Sequence, residues 1–337
     1  MKYWFISVCL GIGILTVQSA HAQKPSGKAM QVWQDSLLSI GNRVFQNPSE
    51  PERIDANFKF VKTLVSALKE KNSFDFAFDQ LKMISVLNSP DNKFRIFSWN
   101  VPLNDGSYLY YGSIQLKTGN GELSLIPLLD KTFEIQQADQ AIVSSANWYG
   151  AQYYEIIPNA DHYLLLGWKG HNRLFTQKVI EVLSIKGKEA TFGKKLFSDQ
   201  PQISRKIFNY TRQASMLLRY DAVKKRIVFD HLVPADKSLE GKYQYYGPDL
   251  TYDAYEIVPA KLFFKSNIEF TNPVRGNEDQ YLNPARKKNR EEEWFQCQLK
   301  QKYFFNKLYQ FKKFVFFVAL FVKTTIDDFL QQVIITM

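Results

Sequence analysis

At Phe94 the chain changes period. Upstream, apolar residues recur at helical spacing. Downstream, short runs rich in aromatic and β-branched residues alternate with turn signals as far as Phe270. Phe94–Asn100 and Tyr108–Lys117 flank Asn104-Asp105-Gly106, and Gly119-Asn120-Gly121 turns into Leu123–Leu129. Tyr153–Pro158, His162–Lys169, Phe175–Ile185, Met216–Tyr220, Arg226–Leu232 and Leu262–Phe270 continue the series. Roughly nine to eleven strands with no helical pattern between them argue against a parallel α/β sheet and predict an antiparallel sandwich or meander. The fold class expected is α+β: a small N-terminal helical region, residues 23–90, followed by an antiparallel β-rich domain over 91–289.

The helical region reads as three segments. Trp33, Leu37, Ile40 and Val44 form one stripe. Ser49-Glu50-Pro51-Glu52 has the pattern of a capping box, with proline in the first turn, and leads into a second stripe of Ile54, Phe58, Val61, Val65 and Leu68. Ser73 is placed to cap a third segment carrying Phe74, Phe78 and Leu81, and Asn88-Ser89-Pro90-Asp91 ends it.

The first 22 residues read as a signal peptide: Met1-Lys2, an apolar run from Tyr3 to Val17, then Ala20-His21-Ala22 before Gln23. The run is shorter than the ~20 apolar residues that span a bilayer. Val8 before Cys9 is too large for a lipoprotein signal. The expected product is exported, periplasmic or secreted, and starts at Gln23; N-terminal sequencing of envelope material checks this. Of two cysteines, Cys9 leaves with the leader and Cys297 lies near the end, so the body has no internal disulfide. With His21 gone, three histidines remain, too few for a His-rich metal site, and no cofactor is implied.

A net charge of +10 suggests nucleic acid until it is located. Arg286–Met337 holds ten Lys/Arg against five acids, and residues 23–285 carry only +4, so no nucleic-acid partner is expected for the body. The stretch 290–337 differs in kind, with an apolar run, Phe314–Val322, bracketed by Lys312-Lys313 and Lys323. It reads as a basic amphipathic segment on a membrane surface or as an extension foreign to the domain, such as read-through coding sequence.

Phe97-Ser98-Trp99-Asn100, Asp105-Gly106-Ser107-Tyr108, Leu164-Leu165-Leu166-Gly167-Trp168, Arg226-Ile227-Val228-Phe229-Asp230-His231-Leu232 and the run Leu239–Asp249 resemble a group of uncharacterised secreted proteins common in Bacteroidota. The similarity covers roughly residues 30–289, and those relatives finish near an Asn-Pro-x-Arg-Lys-Lys sequence, here Asn283–Lys288. The resemblance implies export and domain extent; it carries no reaction, ligand or catalytic residue.

No G-x-S-x-G, H-E-x-x-H, C-x-x-C, Walker or dinucleotide-binding pattern occurs in the body. Asp230-His231 is the most tempting pair. On a strand, however, neighbours point to opposite faces, which groups Ile227, Phe229 and His231 and sets Asp230 apart. Asp161-His162 sits in a turn. Gly167–Asn172 follows a strongly apolar strand, and Trp168 with His171 offers a small aromatic and polar surface; a hairpin with a core tryptophan explains the same residues. Glu240–Tyr255 is richest, reading as a loop surface that interleaves Tyr243, Tyr245, Tyr246, Tyr252 and Tyr255 with Glu240, Asp249 and Asp253. Aromatic faces stack on sugars and carboxylates accept hydroxyl hydrogen bonds; packing tyrosines and turn aspartates give the same letters. The candidate ligand-binding set is therefore Trp168, His171, Tyr245, Tyr246, Asp249 and Asp253. The function expected is non-catalytic binding of a glycan, peptide or envelope protein. Its competitor is a glycan-active hydrolase using Asp230, Asp249 and Asp253, since two acids suffice for glycoside cleavage.

Overall fold

Two helices, α1 (Gly27–Gln46) and α2 (Glu50–Leu68), lead into fourteen strands in a computed structural model that describes residues 27–270. The signal-peptide and tail readings lie outside the described residues. Helix α1 buries Met30, Gln34, Leu37, Gly41 and Val44. Helix α2 buries Arg53, Ala56, Asn57, Phe60, Leu64, Ala67 and Leu68, while Phe58 is exposed. The stripe expected for α2 is thus rotated, because two polar residues on the buried face find partners. Arg53 donates to the carbonyls of Asn47, Pro48 and Pro102, and Asn57 Oδ1 accepts the Trp99 indole N–H at 2.8 Å. Ser49 stands at the N-terminus of α2 in extended conformation, but its side chain makes no capping bond; Glu52 pairs with Arg43 instead.

The third helical segment does not form. Only a single 3-10 turn, Ser73–Asp75, is present. Arg95, buried on the next hairpin, donates to the carbonyls of Ser73 (2.8 Å) and Phe76 (2.6 Å), two acceptors that a continuing helix needs for residues four further on. Phe78, at φ 51°, completes the break.

Strands β1 (Ser85–Asn88), β2 (Phe94–Pro102), β3 (Tyr108–Leu116) and β4 (Ser124–Leu129) form an antiparallel meander, the first sheet. The second sheet runs β5-β9-β8-β7-β6, from β5 (Val143–Ser144), β6 (Gln152–Asn159), β7 (His162–Lys169), β8 (Phe175–Lys186) and β9 (Glu189–Phe192), with β10 (Lys206–Thr211) also on β8. The third is β11 (Leu218–Asp221), β12 (Arg226–Pro234), β13 (Tyr246–Val258) and β14 (Lys261–Lys265) in sequence order. Every pairing within the sheets is antiparallel.

Side-chain alternation stacks these elements into four layers. On β2, Phe97, Trp99 and Val101 face the helices, whereas Phe94 and Ile96 face the second sheet. On β7, Leu165 meets the first sheet, and Leu164 and Leu166 meet Ile227, Phe229 and Tyr255 of the third. The second sheet is therefore covered on both sides, which is why β7 reads as a continuous apolar run. Among the described residues no helix is long and apolar enough to cross a membrane.

One compact unit of the chain ends at Glu269. Its last ties are Asn267 N–H to Asp253 (2.9 Å), Ile268 N–H to the Tyr252 carbonyl (2.7 Å) and Arg226 to the Glu269 carbonyl (3.3 Å). A chain stopped after Asn289 keeps all of them, so it is expected to melt in a single transition at the midpoint of the full chain. Loss of cooperativity in calorimetry would make the remaining residues part of the folding unit.

Candidate functional site

The β2–β3 and β7–β8 hairpins turn at the same end of the stack. Gly170 lies so close to Tyr108 that a Cβ would stand 2.1 Å from its ring, and its N–H donates to the Tyr110 hydroxyl at 2.6 Å. Arg212, from the loop after β10, donates to the carbonyls of Gly106 (3.1 Å) and Asn172 (2.8 Å) and to the Tyr108 hydroxyl (2.6 Å). One guanidinium thus fixes two hairpin loops from a third segment. Trp168 packs edge-on against Tyr108, with centroids 5.5 Å apart.

Beside this anchor the rings form a row. His171 lies 4.5 Å from Phe175, Phe175 is 5.6 Å from Tyr243, and Tyr243 is 5.4 Å from Tyr246, all centroid to centroid. His171 sits at φ 43° in the β7–β8 loop; burial and the charge of Lys169 hold its imidazole below the ordinary value. Tyr243 belongs to a 3-10 turn, Tyr243–Tyr245, packed against β10, and the Tyr246 hydroxyl accepts the Gly241 N–H at 3.0 Å, holding that turn's approach. Tyr243 and Tyr245 are 38% and 47% exposed, which leaves the row open to solvent along one edge.

The two candidate segments, far apart in sequence, therefore meet: His171 and Tyr246 belong to one row, bridged by Phe175 and Tyr243. Tyr245 flanks it. Trp168 packs edge-on against Tyr108, in the anchor beside the row. Asp249 and Asp253 stand elsewhere. Glu240–Tyr255 is not one loop, because from Tyr246 onward it belongs to β13, the longest strand among the described residues. Asp249 folds its own turn, its Oδ1 accepting the N–H (3.0 Å) and hydroxyl (2.7 Å) of Thr251. Asp253 is buried and accepts from His231 Nδ1 at 2.7 Å and Asn267 N–H at 2.9 Å.

That His–Asp pair follows from register. Phe229 lies opposite Asp253, so His231, two residues along the same face, is its diagonal neighbour, with a bulge between Asp230 and Leu232 drawing them together. Asp230 faces away, accepting the Leu217 N–H at 2.6 Å; burial raises its carboxyl. His231 and Asp230 form no dyad, as alternation requires. Asp161 binds His162 (2.9 Å) and Lys194 (2.9 Å), which pull its carboxyl far below the usual range. Among the described residues no three His, Cys, Asp or Glu side chains are grouped to hold a metal ion. Neither Phe175 nor Arg212 carries a local signal in the sequence; both act through contacts with distant segments.

No protein-family model matches the chain, and neither a curated protein nor a solved structure shows significant similarity to it.

Proposed function

We propose that the protein is exported and binds a glycan, without catalysis, along the row His171–Phe175–Tyr243–Tyr246. The observation that carries this reading is the row itself: four rings from two segments far apart in sequence, with the Asn172 carbonyl between His171 and Phe175 held by Arg212, and open along Tyr243 and Tyr245. Sugar rings offer C–H faces to aromatics and hydroxyls to polar groups, so a rigid, half-exposed row suits them. The leader pattern of residues 1–22 supports encounter with glycans outside the cytoplasm. A peptide or envelope protein is the other ligand class this surface would take, and the screen below separates them.

Glycan and peptidoglycan-fragment screening of the full chain should return a ligand whose affinity Tyr243→Ala lowers about tenfold or more. The melting midpoint should barely move, because Tyr243 is already well exposed. Retained affinity in Tyr243→Ala and Phe175→Leu would remove the row from the site. The hydrolytic reading uses Asp230, Asp249 and Asp253, of which Asp253 holds the half-exposed His231 at 2.7 Å. Product release from any glycan that His231→Ala abolishes would overturn the non-catalytic one.

A further inference from the structure

His171, which heads the ring row, turns one ring nitrogen inward and one outward. Nδ1 is buried and meets no hydrogen-bond partner among the described residues. Nε2 lies on nearly the opposite edge of the imidazole, at the solvent side of a partly covered ring, and makes no hydrogen bond among the described residues either. The buried position selects the tautomer. A proton on Nδ1 would be an N–H shut away without an acceptor, a rarer and costlier state than an unfilled lone pair. Nε2 therefore carries the proton and offers an N–H outward. The acceptors around it are engaged within the loops. Asn172 Oδ1 receives the N–H groups of Leu174 (2.8 Å) and Phe175 (3.1 Å), and the Asn172 carbonyl receives Arg212 (2.8 Å). Asp105, on the facing turn, closes on the Ser107 N–H (2.8 Å) and hydroxyl (2.6 Å) and feels the charge of Arg173. Glu240 stands at the other end of the row, beside the Gly241 that donates to Tyr246.

We propose that the row takes a sugar bearing an acceptor-only oxygen, an acetamido carbonyl or a carboxylate, which receives the His171 Nε2–H while the sugar face lies on Phe175 and Tyr243. This rests on the reading of the row as a glycan site and names the feature of the glycan that it selects. A hydroxyl in that place fills the donor but keeps a proton of its own, for which the neighbouring loop acceptors are already used. A carbonyl or carboxylate oxygen brings no proton and matches a donor alone. A site built to donate to one substituent discriminates against the analogue that lacks it. Phe175, with its ring 4.5 Å from that of His171, supplies the apolar surface beside the donor. His171 thus determines specificity, whereas Tyr243, at the open edge, contributes affinity for any sugar face.

Calorimetric titration of the full chain should give triacetylchitotriose or trigalacturonate an affinity about tenfold above that of cellotriose, which carries hydroxyls alone. The tighter of the first two identifies the substituent, acetamido or carboxylate. His171→Phe keeps a ring beside Phe175 but has no N–H, and should bring all three sugars within about twofold of one another, whereas Tyr243→Ala should weaken all of them alike. Each comparison is a ratio between ligands within one variant, so a lower melting midpoint caused by Phe at φ 43° leaves it readable. Long-range proton–nitrogen correlation spectra of the wild type supply a measurement that needs no variant to fold: His171 should show the Nε2–H tautomer. An Nδ1–H signature, equal affinity for the three sugars, a preference that survives His171→Phe, or binding of none of them overturns the proposal. Binding that Tyr243→Ala weakens without any preference among the sugars discards the role of His171 and keeps the row; binding indifferent to Tyr243→Ala removes both.

Discussion

Glu181→Ala is expected to cost about 3–5 kcal/mol of stability, because it leaves a buried cation without its partner. Glu181 and Arg205 are both fully buried, 2.7 Å apart, between the first and second sheets. The pair is a cross-strand contact: Lys206 lies opposite Ile180, so the preceding Arg205 falls beside Glu181. Burial pushes the Glu181 carboxyl up, and the guanidinium and the Val182 N–H pull it back toward ionisation. Arg205 also donates to the carbonyls of Ala138, Ala141 (2.9 Å) and Phe192 (3.3 Å), fastening the long connection between β4 and β5. Thermal unfolding should therefore shift down by on the order of 10 °C. Adding Arg205→Leu removes the orphaned charge while stripping those carbonyls of a donor, each worth about 1–3 kcal/mol. The double variant should therefore lose less stability than the two single losses added together. A loss equal to the sum of the single losses would show that the two side chains act independently.

Local pattern made the strands legible and hid what joins them. His162–Lys169 declares itself by an unbroken apolar run, and the turn Asn104-Asp105-Gly106 declares the β2–β3 hairpin. Phe229 and His231 share a face by alternation alone. Strand β10 and the full length of β13 were illegible, since Tyr, Pro and Asp in the first half of β13 resemble a loop. The N-terminal third segment misleads for a related reason. Its apolar spacing is helical, but Arg95, a residue outside it, takes its carbonyls. Buried charge was the least visible feature: nothing near Arg95, Lys169, Glu181 or Arg205 in sequence announces that each finds its partners across a sheet or loop. The same holds for the ring row, where one half spans the β7–β8 loop and the start of β8, the other spans the Tyr243–Tyr245 turn and the start of β13, and the turn packs on β10.

Lys169→Met is expected to flatten a rise in stability between pH 7 and 9. Lys169 ends β7 almost without solvent contact, donating to the Thr132 hydroxyl at 2.7 Å and to the Gly150 carbonyl, with its ammonium 4.2 Å and 4.4 Å from the Tyr110 and Tyr149 ring centres. Asp130, the acid closest in influence, is engaged by the Thr132 and Gly150 N–H groups and forms no ion pair with it. Burial draws the lysine down to about 7. An unfolded lysine keeps its proton to about pH 10.4, so between these values unfolding takes up a proton and stability climbs with pH. Below about 7 both states are charged and the full penalty remains. The climb has a ceiling: burial pushes the phenols of Tyr110, Tyr149 and Tyr153 above their ordinary value, so near pH 10 unfolding releases protons and stability falls again. One proton is worth about 1.4 kcal/mol per pH unit at most, so the gain from pH 7 to 9 is about 2 kcal/mol, reduced to the extent that the two ring contacts favour the charged form. Urea midpoints at pH 7, 8 and 9 should rise for the wild type and stay level for Lys169→Met. Parallel curves would mean that Lys169 remains an ammonium throughout, held by the two rings in spite of its burial.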